Sequence, residues 1–191
     1  MQEKLIEYLS QYIDISSELE KALRENLQVK EYPRGTILLK AGETCRECYF
    51  ILSGLIRSFC LKEGEEVTVD FFMEEQSVTP FCYGKEIPSE ISLECLEDTV
   101  AVIGLPQVEE DMYSRYPELE TMARIIAEKM MSDYKESFDD FKMSTPEERY
   151  LSLVENNPAL IQRAPQYQIA SYLGIKPESL SRIRKRISQK R

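Results

Sequence analysis

The sequence of 191 residues contains no histidine. This absence excludes a Ser-His-Asp or Cys-His nucleophile and any metal site built on histidine ligands. Acidic pairs such as Glu74-Glu75, Glu109-Glu110 and Asp139-Asp140 fall at turns and on helix surfaces, where solvated charge is the simpler interpretation. We therefore predict a protein that is not an enzyme, with no catalytic residues, no metal and no cofactor.

Long apolar runs are also missing. The uncharged stretches fall well short of the roughly 20 apolar residues that cross a bilayer, and residues 1–15 carry charges throughout. The five cysteines are scattered and odd in number, and a chain of this length can bury its own core. We expect a cytoplasmic protein without membrane contact and without a disulfide framework.

One pair of cysteines has the spacing of a metal or redox motif. Cys45 and Cys48 form a single CxxC, which is insufficient for a structural zinc site without histidine or a second CxxC. We interpret both as ordinary thiols and expect Cys48 to begin a strand and point inward.

Charge is distributed unevenly along the chain. Residues 143–191 carry nine Lys or Arg and four acidic residues, a net charge of +5, whereas residues 1–142 carry 15 basic and 30 acidic residues, a net charge of −15. An acidic body with a basic C-terminal piece indicates two modules. A basic patch of this kind can bind phosphate backbones although the whole protein is acidic.

Hydrophobic periodicity changes twice along the chain. Residues 2–27 have helical spacing with a break near Ile15-Ser16, and residues 31–104 alternate short β-branched or aromatic runs with turn signals. Many short strands at this spacing are typical of a β-sandwich or a jelly-roll barrel. The predicted strands are 36–39, 49–52, 55–61, 67–73, 91–96 and 99–103.

Beyond Pro106 the apolar period becomes helical again, with the main helix starting near Pro117 after a short first piece. The apolar stripe has a/d spacing over about four heptads. The helix either packs on its own barrel or pairs with a second copy, and we favour pairing because the stripe is longer than one small barrel covers. The predicted dimer interface consists of Met112, Tyr116, Leu119, Ala123, Ile126, Met130, Tyr134 and Phe138.

Residues 164–187 carry the most specific pattern. A short helix starts at Pro165, Gly174 supplies the positive φ that ends it, and Pro177 opens a second helix over about 177–189. This is a helix-turn-helix whose second helix enters the major groove of DNA. An ordinary helical hairpin with a solvated basic face is the alternative.

The side chains of the second helix suit DNA recognition. Arg182 can donate two hydrogen bonds to guanine O6 and N7, and Glu178 can accept one from cytosine N4. Ser, Lys and Gln side chains suit phosphate contacts, which set register but not sequence. The predicted DNA-binding residues are Gln168, Lys176, Pro177, Glu178, Ser179, Ser181, Arg182 and Lys185.

Residues 32–43 and 48–57 look like the opening of a cyclic-nucleotide-binding-type barrel. Together with residues 169–184 they resemble the Crp/Fnr family of bacterial transcription regulators over nearly the whole chain. The resemblance implies an α+β fold with N-terminal helices and a double-stranded β-helix (jelly-roll) sensor domain in 1–105. A long dimerisation helix follows in 106–142, and a helical helix-turn-helix domain in 143–191. It also implies a homodimer on palindromic double-stranded DNA, with RNA polymerase and a small-molecule effector as candidate partners.

The effector region departs from that family. Cyclic-nucleotide binders use a Gly-Glu pair and an Arg before Ser or Thr, but this chain has Thr79-Pro80 and Ser89-Glu90 at those places. Pro80 removes a backbone donor and Glu90 repels phosphate, so we predict no cyclic AMP binding. The alternative function is a sensor whose barrel binds a non-nucleotide ligand, either apolar or anionic. The candidate pocket residues are Thr79, Phe81, Cys82, Tyr83, Lys85, Ser89, Glu90 and Tyr134.

The DNA-binding end departs from the family at two points. Many members have an Arg where this chain has Pro177, so the resemblance leaves base preference there undefined. We expect no β-hairpin wing after Ile187.

Overall fold

A computed structural model describes residues 2–189 of the chain. Lys190 and Arg191, the end of the predicted basic run, lie outside the described residues. The chain forms two compact units, one of Met1–Ser58 with Phe71–Met131 and one of Phe59–Asp70 with Ser132–Arg191. No described helix combines the length and apolar character that crossing a membrane requires.

The described residues contain two four-stranded antiparallel sheets. Their strand orders are β1-β8-β3-β6 and β2-β7-β4-β5, which confirms the predicted jelly-roll arrangement within an α+β fold. The strands are β1 (Gln28–Tyr32), β2 (Ile37–Leu39), β3 (Cys48–Ser53), β4 (Ile56–Lys62), β5 (Glu65–Phe72), β6 (Ser77–Val78), β7 (Ser92–Cys95) and β8 (Thr99–Gly104).

Sequence patterning missed β1 and β6. Strand β1 is an edge strand of its sheet that pairs with β8 in the register Val29↔Val102. It reads Gln-Val-Lys-Glu-Tyr, with two charged residues and partial burial of only Val29 and Tyr32. Strand β6 has two residues. Neither is long or apolar enough to give a period-2 signal.

Strands β3 and β8 are buried on both faces. Tyr49 and Ile51 belong to the core inside the barrel, whereas Phe50 and Leu52 belong to a second core under the helices, together with Val102 of β8. Because side chains alternate between the faces of a strand, two covered faces require an unbroken apolar run. The run Tyr-Phe-Ile-Leu at 49–52 meets this requirement.

The helices of the first unit cover the outer face of the β1-β8-β3-β6 sheet. Helices α1 (Gln2–Ser10) and α2 (Ser17–Asn26) are separated where the break was predicted, and Ser16 caps α2 by accepting the Leu19 N–H at 3.1 Å. Helices α3 (Pro106–Arg115) and α4 (Pro117–Met143) divide at Pro117, as expected. The helix-side core includes Leu5, Leu9, Leu19, Leu23, Met112, Leu119 and Met122.

The second unit contains four further helices: α5 (Pro146–Asn156), α6 (Pro158–Arg163), α7 (Gln166–Tyr172) and α8 (Pro177–Gln189). The predicted capping box starts α5. The Glu148 N–H donates to Thr145 Oγ1 at 3.3 Å, and the Thr145 N–H donates to Glu148 Oε2 at 2.8 Å. The bond from the Thr145 N–H and a second bond from Thr145 Oγ1 to Glu148 Oε2 at 2.7 Å stabilise the carboxylate and lower the pKa of Glu148.

Candidate DNA-binding and effector sites

The turn between α7 and α8 is fixed by backbone hydrogen bonds. Gly174 has φ +70°, and the next N–H, that of Ile175, donates to Ala170 O at 2.9 Å, a bond that closes the C-terminus of a helix. Arg149 of α5 donates from Nη1 to Leu173 O at 2.9 Å. The helix-turn-helix backbone is therefore held from both within and outside the turn.

Helix α8 has one buried and one exposed face. Leu180 and Ile183 are buried, and Arg186 forms an ion pair with Glu147 of α5. Arg182 is exposed, and its Nε donates to the Glu178 carbonyl at 3.3 Å. Seven of the eight predicted DNA-binding residues are wholly or partly exposed: Lys176, Pro177, Glu178, Ser179, Ser181, Arg182 and Lys185.

Gln168, the eighth, is misplaced by the prediction. Its side chain is only 3% exposed, and its Nε2 donates to Tyr167 Oη at 3.2 Å. Residue 168 lies on the inward side of α7 with Ile169. The prediction placed Gln168 on the outward side because its side chain is polar. Gln168 cannot contact a phosphate in this conformation, whereas the neighbouring Tyr167 is exposed.

The predicted dimer stripe divides between two environments. Met112 and Leu119 are buried in the helix-side core of their own protomer, with Tyr116 partly buried against it. Ala123, Ile126 and Met130 line a cavity of the same unit. These six residues therefore satisfy the alternative interpretation, a helix packed on its own domain.

An exposed apolar stripe remains on the C-terminal half of α4. Tyr134 and Phe138 belong to the predicted interface and are 54% and 58% exposed. Sequence reasoning missed Met131 and Phe141, which are also exposed and complete a 3-4-3 spacing. An apolar stripe on a helix surface is typical of an interface with a second copy.

The interior of the barrel is filled by side chains. Its buried core includes Leu39, Cys45, Tyr49, Ile51, Ile56, Val78, Cys82, Leu93, Cys95, Ala101 and Ile103. Arg57 of β4 is also buried, with Nη2 at 3.1 Å from Glu94 Oε2 of β7. Cys82, a predicted pocket residue, is part of this packing.

The other effector candidates are not brought to one place. Phe81 is 82% exposed and carries Lys85 Nζ 3.8 Å from its ring centroid, so both lie at the surface. Ser89 is buried and used locally, because its Oγ accepts the Ile91 N–H at 3.2 Å. Glu90 is exposed. Residues 81–87 form turns and bends and no residue of 79–88 is helical, so this segment provides no helix N-terminus for a phosphate.

Thr79 and Tyr83 instead line a cavity on the helix side of the first sheet, with a volume of about 570 Å³. Cys48 lines it as well, so this thiol points inward on the helix side of the sheet and not into the barrel core. It begins β3 as predicted, but alternation places it on the same side as Phe50. Sequence reasoning had no signal for this cavity, because its walls come from elements far apart in the chain.

Tyr134, the last effector candidate, belongs to the second unit. Its hydroxyl donates to Asp70 Oδ2 of β5 at 3.1 Å, and burial with the neighbouring carboxylate raises its pKa to about 12. Nearby, the Thr68 N–H of β5 donates to Ser171 Oγ of α7 at 2.9 Å. Residues 59–70 are thereby bound to the helix-turn-helix within one compact unit.

Residues 29–108 match the sequence profile of the cyclic nucleotide-binding domain. No curated protein sequence matches the chain significantly. This stretch contains strands β1 to β8 and both segments that resemble such a domain in sequence, 32–43 and 48–57.

Solved structures extend the likeness to nearly the whole chain. A protein from Eubacterium rectale assigned to the Crp/Fnr family of transcriptional regulators superposes with a TM-score of 0.71 at 16% identity, covering 96% of this chain and 88% of that one. The c-di-GMP-responsive regulator CLP of Xanthomonas campestris gives 0.70 at 14% identity, covering 92% and 93%. The catabolite activator protein of Thermus thermophilus gives 0.57 at 17% identity, covering 96% and 87%. At such low identities the likeness shows the fold: this chain has the fold of the Crp/Fnr regulators, and the predicted resemblance is confirmed at that level.

Proposed function

We propose that the protein is a sequence-specific DNA-binding transcription regulator of the Crp/Fnr type that acts as a cytoplasmic homodimer on a palindromic operator. The observation that carries the proposal is helix α8, which presents an exposed polar and basic face from a turn held by Gly174 and Arg149. RNA polymerase and an effector molecule are further candidate partners, and no catalytic role is proposed.

The charge distribution supports binding through the C-terminal module alone. Residues 143–191 carry +5 and the rest of the chain −15, so the acidic body is repelled by the phosphates that attract α8. Two copies of α8 in successive major grooves would read half-sites about 34–36 Å apart.

Arg182 and Lys185 have different roles in this proposal. Arg182 reads a base edge, so Arg182→Ala should cost about 1–3 kcal/mol of binding free energy and relax preference at one base pair per half-site. Lys185 binds a phosphate, so Lys185→Ala should weaken binding to all sequences alike and lower the salt slope by about one for each phosphate that is no longer neutralised. Selection of binding sites from a random library, followed by titration at several salt concentrations, measures both effects.

Arg163→Ala provides a matched control, because it removes a basic charge from α6 of the same module. It should leave the selected motif unchanged. If Arg182→Ala also leaves the motif unchanged, α8 does not read bases through Arg182. If neither α8 variant changes affinity, the helix-turn-helix is not the DNA-reading element.

We also propose that cyclic AMP is not the effector. Pro80 and Glu90 replace phosphate-binding groups, no residue of 79–88 is helical, and Lys85 lies on the ring of Phe81. Calorimetry with millimolar cyclic AMP should therefore show no saturable heat. Micromolar binding would contradict the proposal, and its loss in Lys85→Ala would then identify Lys85 as the phosphate ligand.

A further inference from the structure

The cavity on the helix side of the first sheet has the size of a small-molecule site. It lies within the first unit, between the β3 and β8 face and helices α1 to α4, and its volume of about 570 Å³ is within the range of ligand pockets, about 300–1,000 Å³. Its walls are largely apolar, with Leu9, Phe50, Met112, Met122 and Ile126 among the lining residues. An apolar surface of this extent that is open to water is typical of a ligand-binding groove.

One part of the wall is polar and carries the only charge among the described residues that line the cavity. Cys48 Sγ donates to Glu109 Oε1 at 3.4 Å, and Tyr83 and Tyr113 also line the cavity. Burial and the neighbouring Glu109 raise the pKa of both Cys48 and Tyr113 to about 12, so these groups stay protonated at neutral pH. The Tyr83 hydroxyl is also buried, and this burial and the neighbouring Cys48 and Glu109 raise its pKa.

Gly104 keeps the space around this polar cluster open. A Cβ at that position would lie 2.4 Å from Cys48 Sγ and 2.6 Å from Glu109 Oε1, closer than side chains tolerate. The φ of Gly104 is not positive, so backbone conformation does not require glycine there. Glycine is instead required because the Cys48 thiol and the Glu109 carboxylate both lie where a Cβ of residue 104 would be.

The charge of the cluster defines the ligand it suits. No Lys or Arg is among the described residues that line the cavity, so none of them offers a cation to the Glu109 carboxylate. A carboxylate beside an apolar space favours a cationic N–H donor and repels an anionic head. An apolar body joined to an amine matches both parts of the wall.

We propose that this cavity binds an amphiphilic amine, with its apolar body between the sheet and the helices and its ammonium group on Glu109. The site lies outside the barrel interior and involves none of the DNA-binding residues. This inference does not depend on the proposed DNA binding and can fail or succeed separately.

Methionine methyl groups offer a direct readout in the full-length protein. Met112, Met122 and Met130 line the cavity, whereas Met131 and Met143 are exposed. With ¹³C-methyl-labelled methionine, decylamine below its micelle concentration should shift the three cavity signals saturably and leave the two exposed signals in place. Decan-1-ol should bind about tenfold more weakly, a difference of about 1.4 kcal/mol, and decanoate should not bind.

Glu109→Gln isolates the contribution of the charge. It should abolish the preference for the amine over the alcohol, because it removes the carboxylate but keeps the size of the side chain. Glu110→Gln, on the exposed neighbouring position of α3, is the matched control and should retain the preference.

Three results would overturn the proposal. Equal affinity for the amine and the alcohol in the unaltered protein would show that Glu109 does not recognise the head group. Equal shifts at Met131 and Met143 would show binding to the surface. Cavity signals that move with protein concentration in the Phe138→Glu protein, in the absence of any probe, would show that a second copy of the chain occupies the space.

Discussion

Phe138→Glu should convert the proposed dimer to monomers. Phe138 is 58% exposed in the middle of the apolar stripe on α4, and an interface with two-fold symmetry would bring the two introduced carboxylates close together. Large apolar residues at the centre of an interface contribute about 2 kcal/mol or more, so the dimer dissociation constant should rise at least about 30-fold. Sedimentation velocity over a range of concentrations measures the change.

Ile125→Glu is the control on the same helix. Ile125 is also at the surface but lies on the other side of α4 from Phe138, given 100° of rotation per residue. It should leave assembly unchanged. A Phe138→Glu protein that still sediments as a dimer would show that copies associate through another surface, and an Ile125→Glu monomer would place the interface on the opposite face.

Gly54→Ala should destabilise the first unit severely. Gly54 has φ +111° after β3, and an added Cβ would lie 2.4 Å from Thr99 Oγ1, 2.7 Å from Thr99 Cα and 2.9 Å from Asp98 O. Two of these three atoms are backbone, so the methyl group cannot be accommodated by a side-chain rotation. The loss in free energy of unfolding should reach about 4 kcal/mol, as expected when overpacking and backbone strain act together. Urea denaturation followed by circular dichroism tests this value.

Gly35→Ala separates strain from crowding. Gly35 has φ +83°, and nothing lies within 4 Å of its added Cβ. It should cost about 1–2 kcal/mol, the penalty for an alanine in the left-handed region. Equal losses at the two positions would show that the contacts with Thr99 and Asp98 yield without cost.

Hydrophobic periodicity predicted the helices and most strands, because one or both of their faces are buried. Local residue signals predicted the ends of the helices. The capping residues Thr145 and Glu148, the glycine turn at Gly174 and the break at Pro117 all lie where the sequence indicated. Strand β1 was not predicted, because a half-exposed edge strand needs few apolar residues.

The α4 stripe shows the limit of spacing arguments. Met112, Leu119 and Phe138 share one helical period, yet the first two are buried in their own protomer and the third is exposed. Periodicity reveals that a face is apolar but not what covers it. Gln168 illustrates the same limit, because a polar residue type does not report which side of a short helix it occupies.

The residues of one candidate site could be predicted from the sequence, and those of the other could not. The candidate DNA-binding residues of α8 follow one another along a single helix, so their common exposure could be inferred from their spacing. Cys48, Gly104 and Glu109 meet only because β3, β8 and α3 are neighbours in three dimensions. Recognising them required the strand register.

The hydrogen bond between Thr68 and Ser171 joins residues 103 positions apart. During synthesis at about 5–20 residues per second, the ribosome releases α7 roughly 5–20 s after β5. In that interval the edge strand β5 exposes its Thr68 amide to water and to other nascent chains. A chain interrupted before residue 171 would keep this amide permanently open, so truncated products should pair at that edge and aggregate, whereas the finished chain closes it with its own helix-turn-helix.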